Sequence, residues 1–417
     1  MSKFFTSLPF LTKTSIVLGK SPVAMHSVRY SSQKYGSTPG SHWAAGRDPA
    51  DEADWKAQVL EEAYPKIKGM PPSKFVYLPK ISPAVKNYFD KNTSSVFLKQ
   101  GFLGIFDPTN IKCDAKSLYE ILVKEAKTDN DAAAMLKLIK DVGAGKITHA
   151  HIGDGMPSLN IGGFMPSVLE DVMRSIVRVD NDSTSKNDTY ETALRYCPSI
   201  AFANALFNSI SERNFPAAIS PINCFRTTGS QSLYNQRDVV GNERIIASAL
   251  VGIEADGSVV TYVMDAEQLV HFLTEEDKTL LQQKVFYHPE SAFGTESPSK
   301  QFALLEIING KPYLKLEQHV FISRDTGADH QFNKILEKID AIVGHLLVEG
   351  KITKMPIKTG EFAMMDNASA AWGRYNQNDV VPNFAPAKSE GPSTTIITPD
   401  GKTLERRVMN VNAVVTR

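Results

Sequence analysis

The segment that most constrains the fold is a nearly continuous apolar run, Ile245–Ile253. A run of this length and composition is typical of a strand that is buried on both faces. Asp256–Gly257 follows as a hairpin turn signal, and Ser258–Met264 has the pattern of a returning strand. From about residue 215 onward the sequence therefore predicts mainly β-structure.

Helical periodicity dominates the first part of the chain and reappears once near its end. Asp51–Ala63, Lys116–Val142 and Pro166–Val177 have apolar residues at three- and four-residue spacing. Asp329–Glu349 is a strongly amphipathic segment between predicted strands. Helices followed by many strands, with one long helix inserted, predict an α+β fold built on a β-sandwich or jelly roll.

Composition excludes several classes of function. Lys plus Arg and Asp plus Glu both number 46 in 417 residues, so the net charge is zero and no basic surface for nucleic acid is predicted. No segment approaches the roughly 20 apolar residues that span a bilayer. The three cysteines form no CxxC motif, which fits a reducing compartment.

Residues 1–45 differ in kind from the rest. No acidic residue precedes Asp48, while Lys and Arg are spaced among many Ser and Thr residues. This composition is typical of a mitochondrial targeting leader, and Arg29–Ser32 resembles the processing site of one. A plain disordered tail and a bacterial or secretory signal are the alternatives. The predicted location is mitochondrial, with the cytoplasm as the alternative.

Two motifs carry a family resemblance. Gly360–Arg374 reads GEFAMMDNASAAWGR, where the family pattern is close to GDLLIIDNxxxxHGR. Ser232–Arg237 reads SLYNQR where the family has L-H-x-E/D, and Gly257–Thr261 matches its G-x-T strand. On these motifs the chain resembles the Fe(II)- and 2-oxoglutarate-dependent oxygenases, in the taurine dioxygenase and clavaminate synthase branch. The resemblance runs from about Ile147 to the C-terminus.

The resemblance implies an α+β fold with a double-stranded β-helix (jelly roll) core and flanking helices. Composition, helical periodicity and the resemblance together predict a leader over 1–45, a helical extension over 46–145 and a jelly-roll oxygenase-like domain over 146–417.

The family's three iron ligands fall on residues that are not usual ligands. Its two histidines fall on Tyr234 and Trp372, and its carboxylate falls on Gln236. Such a site needs two neutral imidazoles and one carboxylate on one side of the ion. Tyrosine would have to ionise, glutamine is a weak neutral donor, and tryptophan has an N–H and no lone pair.

The family's carboxylate-binding residues are better matched. Thr261 falls on the threonine that contacts 2-oxoglutarate, and Arg406 or Arg407 falls near the late arginine, with Arg374 as another candidate. Because an arginine fork binds a carboxylate through two hydrogen bonds, these residues suit an oxo acid. The simpler interpretations are a strand threonine and surface arginines.

Two further groups are candidates with simpler alternatives. The segment that contains Arg226 and Ser230 lies where the family places substrate contacts, although alone it is a polar turn. His149 and His151 are two residues apart on a predicted strand, so they share a face and could hold a metal ion with Asp154. Solvated or hydrogen-bonded histidines are the alternative.

Together these residues predict an oxygenase-like protein without the iron triad, which binds a small carboxylate or amino-acid-like ligand. The predicted cofactor is none, with 2-oxoglutarate as a candidate and iron disfavoured. An active 2-oxoglutarate-dependent dioxygenase and a metal-free enzyme that uses the same pocket are the alternatives. A structural or regulatory scaffold is the third possibility, since a fold alone does not fix a function.

Overall fold

The structure describes the helices and strands named below, and several of them are separated by segments that it does not describe. In the computed structural model of the protein, the described residues are 49–92, 115–158, 177–179, 192, 195–211, 218–219, 222–227, 231–234, 243–287, 301–308, 310–314, 321–322, 329–367, 369–376 and 406–416. The helices among them are α1 (Pro49–Lys68), α2 (83–92), α3 (Ala115–Glu125), α4 (Asn130–Gly143), α5 (Cys197–Ser211), α6 (Ala266–Phe272), α7 (Glu275–Leu281) and α8 (Asp329–Val348).

The predicted helical region 116–142 is two helices, α3 and α4. The break occurs at Asp129, whose extended backbone and side chain cap the start of α4 by accepting a hydrogen bond from the Asp131 N–H. A short acidic residue at this place competes with the helical hydrogen bonds and starts a new helix. The predicted helix at 166–177 lies outside the described residues, apart from Val177, which is in a strand.

Most strands belong to two sheets. In chain order they are β1 (Phe75–Lys80), β2 (His149–Asp154), β3 (Val177–Val179), β4 (Ala218–Ile219), β5 (Ile222–Thr227), β6 (Gln231–Tyr234), β7 (Glu243–Glu254), β8 (Val259–Asp265), β9 (Phe286–Tyr287), β10 (Leu305–Ile308), β11 (Lys311–Leu314), β12 (Phe321–Ile322), β13 (Thr353–Met355), β14 (Phe362–Asp366), β15 (Ala370–Asn376) and β16 (Arg406–Thr416).

The larger sheet has the order β1-β2-β14-β7-β16-β5-β3, with β4 also paired to β16. Its β1–β2 and β3–β5 pairs are parallel and the others are antiparallel. The smaller sheet has the order β13-β8-β15-β6 and is antiparallel throughout. Two short pairs, β10–β11 and β9–β12, lie outside both sheets.

Buried apolar residues form three clusters that define the layers. The first packs α2 to α5 against β7, β14 and β16 of the larger sheet. The second packs α1, α6, α7 and α8 against β8 and β15 of the smaller sheet. The third, called the inter-sheet core, joins the two sheets and comprises Leu250, Val263, Met355, Ile357, Ala363, Met365, Ala370, Trp372 and Val408. The described layers are therefore helices, sheet, sheet and helices, which confirms the mixed α and β composition.

The buried strand predicted at 245–253 is confirmed as β7. Leu250 faces the inter-sheet core, while Ala249 and Val251 face the first cluster, so the strand is covered on both sides. The predicted hairpin between this strand and the next is wrong. β7 pairs with β14 and β16, whereas β8 pairs with β13 and β15 in the other sheet. The Asp256–Gly257 turn therefore carries the chain from one sheet to the other.

Gly252 is required where the chain between β13 and β14 crosses β7. A Cβ atom at this residue would lie 2.0 Å from the carbonyl oxygen of Lys358, which is backbone and cannot move aside easily. The Gly252 N–H donates to the Glu361 carbonyl, and its own carbonyl accepts from Gly360. This close approach fixes the start of β14 against β7. No helix among the described residues is long and apolar enough to cross a membrane.

Candidate functional site between the sheets

Trp372 is a member of the inter-sheet core. Only 1% of its surface is exposed, and the apolar side chains that share this cluster come from both sheets. Its neighbour Ala371 belongs to the second cluster, on the other side of the smaller sheet. Because strand residues alternate between faces, the indole projects into the space between the sheets.

Tyr234 and Trp372 lie opposite each other on neighbouring strands of the smaller sheet. Their Cα atoms are partners in the antiparallel β6–β15 pair. For β6 the structure describes the backbone pairing only. Gln236 and Ser230 lie outside the described residues. Two of the three residues that the sequence motifs align with iron ligands are thus adjacent across one strand pair.

Thr261 and Arg374 are also partners, in the antiparallel β8–β15 pair. Thr261 is fully buried and two residues from Val263, which faces the inter-sheet core. Arg374 is half-buried and two residues from Trp372, so alternation places both side chains on the inner face of the smaller sheet. A hydroxyl and a guanidinium therefore occur beside the indole at the level where the two sheets face each other.

The remaining predicted arginines lie on the larger sheet. Arg406 and Arg407 begin β16, opposite Thr227 and Arg226 of β5 respectively. Arg407 is also the partner of Glu254 at the end of β7. The structure thus brings Arg226 and Arg407 together by register, on a different sheet from Thr261 and Arg374.

His149 and His151 occupy adjacent positions on one face of β2 but have separate partners. The Nε2 atom of His151 lies 2.9 Å from the Glu361 carboxylate. Burial lowers the pKa of His151, and Glu361 opposes that shift. Asp154 is exposed and accepts the Gly155 N–H. Among the residues that the structure describes, no three or more His, Cys, Asp or Glu side chains are grouped so that they could hold a metal ion.

His149 belongs to a buried polar network that sequence reasoning missed. Its Nε2 atom lies 3.2 Å from the Ser73 hydroxyl and its Nδ1 atom 2.9 Å from the Thr148 hydroxyl. Thr148 also donates to Asp265, and Ser73 lies 2.7 Å from the Thr353 hydroxyl. The one sequence signal is Asp265, a typical helix-capping residue directly before α6.

Burial sets the ionisation of this network. Complete burial lowers the pKa of His149 from 6.5 to about 3, so the imidazole is neutral. Burial also raises the pKa of Asp265, while its hydrogen bonds from Thr148 and from the Lys74 N–H act in the opposite direction. A phenyl ring, that of Phe75, is stacked on the His149 imidazole with 5.2 Å between ring centroids.

Comparison with known proteins gives similarity at the level of structure. No protein-family model and no curated protein matches the chain. A non-heme iron oxygenase, OrfP, in complex with Fe is 13% identical, with 81% of this chain and 92% of that chain covered and a TM-score of 0.46. An asparagine oxygenase in complex with Fe(II), hydroxyasparagine and succinate is 12% identical, with 81% and 92% covered and a TM-score of 0.47. OrfP with Fe and α-ketoglutaric acid is 14% identical, with 82% and 94% covered and a TM-score of 0.45.

These comparisons correct one prediction. The prediction that the protein takes no cofactor, with iron disfavoured, is wrong on this comparison, because the similar structures are complexes with iron and, in one, with α-ketoglutaric acid. The described residues have a conflicting feature at position 372, since the buried indole has no lone pair for a metal ion. The side chain at this position does not fit an iron ion.

Proposed function

We propose that the two facing sheets form the jelly roll of an oxygenase-like protein, with a site between them for a small carboxylate or amino-acid-like ligand such as 2-oxoglutarate. The observation that carries the proposal is the pairing of Arg374 with Thr261 on the inner face of the smaller sheet. Trp372, two residues from Arg374, is the partner of Tyr234, as expected if the metal-ligand positions of the family fall on these two residues.

The chemistry of the pair suits an anionic ligand. The Arg374 guanidinium supplies a permanent positive charge and several N–H donors, and the Thr261 hydroxyl supplies another donor. The neighbouring register pair on the same face, Val263 and Trp372, belongs to the inter-sheet core, and Thr261 is fully buried. Since water is a weaker competitor in such surroundings, a charge-assisted hydrogen bond to a carboxylate is strengthened there.

Arg374→Gln is expected to remove most of the affinity for 2-oxoglutarate. Hydrogen bonds to charged groups contribute about 1.5–3 kcal/mol, so the dissociation constant should rise on the order of 10- to 100-fold. Isothermal titration calorimetry measures this, and a thermal-shift assay gives a second readout, because ligand at 100 times its dissociation constant adds about 2.7 kcal/mol. Arg195→Gln, at an exposed position, is the matched control.

Thr261→Val should weaken binding less, since it removes one neutral donor and keeps the volume of the side chain. Equal affinity of the wild type, the Arg374→Gln variant and the Arg195→Gln variant would place the ligand elsewhere. No binding of 2-oxoglutarate or of amino acids to the wild type at millimolar concentration would favour the scaffold instead.

Introducing histidine and aspartate side chains tests whether residues 234, 236 and 372 are the metal-ligand positions. The variant that combines Tyr234→His, Gln236→Asp and Trp372→His should bind Fe(II) on the order of 100-fold more tightly than the wild type, because it restores two imidazoles and one carboxylate. Anaerobic Fe(II) titration measures the affinity, and circular dichroism checks folding.

Trp372→Phe is the control for that experiment, since it changes the shape of the core without adding a donor. Stoichiometric iron in the wild type that is unchanged by Trp372→Phe and by the triple variant would mean that iron is held at another place in the chain.

A further inference from the structure

Five buried or partly buried side chains form an unbroken hydrogen-bonded series at one end of the two sheets. The contacts between hydroxyl oxygens and ring nitrogens are 2.7, 3.2 and 2.9 Å, and the last link is the Thr148 hydroxyl donating to the Asp265 carboxylate. We name it the hydroxyl–imidazole relay. Its members in order are Thr353, Ser73, His149, Thr148 and Asp265.

Donor and acceptor accounting gives the relay a single direction. Both Asp265 oxygens accept, one from Thr148 and the other from the Lys74 N–H at 2.8 Å. Since Thr148 uses its only hydrogen on Asp265, its oxygen must accept from His149, so Nδ1 carries the proton. The Nε2 atom of the neutral ring is then an acceptor and Ser73 donates to it.

The same accounting leaves the Ser73 oxygen as the acceptor for the Thr353 hydroxyl, so each side chain donates to the next. This direction holds with Asp265 ionised, because reversing the bond between Thr148 and His149 would then leave the buried carboxylate without the Thr148 donor, which costs more than the bond itself contributes. The direct distance from His149 Nδ1 to Asp265 Oδ1 is 3.7 Å, too long for a hydrogen bond. Thr148 is therefore the essential bridge.

The relay joins the two sheets around the strand that carries Thr261. His149 belongs to β2 of the larger sheet, while Thr353 and Asp265 belong to β13 and β8 of the smaller one. Asp265 is four residues beyond Thr261 and on the same face of β8. In the β13–β8 pair, Thr353 is opposite Val263, and Met355, two residues on, is opposite Thr261.

We infer that the hydroxyl–imidazole relay is a positioning device that holds β8 and β13 against β2 and so sets the place of Thr261 in the proposed carboxylate site. The residues of the relay are positioning residues, which act on the ligand through β8. The inference rests on the proposed function for its effect on ligand affinity. The link between the two sheets depends only on the hydrogen bonds described above and not on the proposed function.

Thr148→Val tests the relay at its bridge, since it keeps the volume of a side chain that is 3% exposed and removes the hydroxyl. Thr148→Ser restores the hydroxyl and is the conservative rescue. We expect Thr148→Val to raise the exchange rates of backbone amides in β8 and β13 on the order of 10-fold, measured by hydrogen–deuterium exchange, and Thr148→Ser to leave them near wild-type values.

Leu138→Ala in α4 is the control for general destabilisation, because Leu138 is buried in the first cluster and not in the relay. It should raise exchange in the first cluster without a selective effect on β8 and β13. In the same variants, the dissociation constant for 2-oxoglutarate should rise about fivefold with Thr148→Val and stay unchanged with Thr148→Ser and Leu138→Ala.

The two readouts separate the outcomes. Suppose that Thr148→Val raises amide exchange selectively in β8 and β13 but the wild type does not bind 2-oxoglutarate. That result would support the hydrogen-bonded link between the sheets and overturn the proposed function. Exchange in these strands that is the same for Thr148→Val and Thr148→Ser would overturn the relay. A selective rise in amide exchange in Thr148→Val with an unchanged dissociation constant for 2-oxoglutarate would overturn the positioning role. Nitrogen-15 NMR of the His149 ring tests the direction, since a proton on Nε2 rather than Nδ1 contradicts it.

Discussion

Replacing His149 with glutamine should make the stability of the protein much less sensitive to acid. The folded imidazole has a pKa of about 3 because it is completely buried, whereas the unfolded value is 6.5. As the pH falls below 6.5, the unfolded chain takes up a proton that the folded chain does not. The neutral ring therefore contributes stability above pH 6.5 that is lost progressively as the pH falls towards 3.

The size of the effect is large for one side chain. The unfolding free energy of the wild type should fall by about 1.4 kcal/mol for each pH unit in that window, or roughly 2 kcal/mol between pH 6.5 and pH 5. Urea denaturation at several pH values measures it for wild type and His149→Gln. Asp265 acts in the opposite sense because its pKa is raised. The informative quantity is therefore the difference between the two proteins.

His345→Gln, in the last turn of α8, is the control for that comparison. It removes a histidine outside the network, so the effect of His149→Gln is compared with that of losing a histidine elsewhere. A slope that is the same in the wild type and His149→Gln would contradict the burial of a neutral imidazole at this place.

Replacing Trp372 with alanine should cost about 3–5 kcal/mol of unfolding free energy. The indole is 1% exposed and is among the largest fully buried side chains described. It packs between the sheets against residues from β7, β8, β14 and β16, so its removal leaves a cavity that neither sheet can close alone. Chemical denaturation monitored by circular dichroism measures the loss.

Trp372→Phe should cost clearly less, because a ring remains in the inter-sheet core. A loss below about 1 kcal/mol for Trp372→Ala would mean that the sheets collapse onto the vacated volume or that the indole lies nearer the surface. The pair of variants thus tests where the side chain lies, independently of any ligand.

The strands could be predicted from the sequence, but their distribution between the sheets could not. The apolar run at 245–253 and the amphipathic helix at 329–349 are present as β7 and α8. Local signals such as Asp256–Gly257 indicate a turn without saying which strands it joins. Pairing is decided by distant segments, here β14 and β16 for β7, whose positions no short pattern specifies.

The candidate site, too, could be predicted from the sequence only in part. The family motifs placed Trp372, Tyr234, Thr261 and Arg374 in the sequence, and the structure joins them in two cross-strand pairs. The relay was beyond sequence reasoning, because Ser73 and Thr353 are 280 positions apart and look like ordinary polar residues. Only the fold shows that His149 is a buried member of this network.

The strand order of the larger sheet has a consequence for synthesis. Among the described strands, β16 is the last in chain order, and it does not join at an edge but lies between β7 and β5. While the preceding residues are already outside the ribosome, these two strands keep open edges that could pair with other chains. Pairing on these edges must therefore wait until residues 406–416 have been synthesised, so both edges stay open for as long as synthesis of the intervening chain takes.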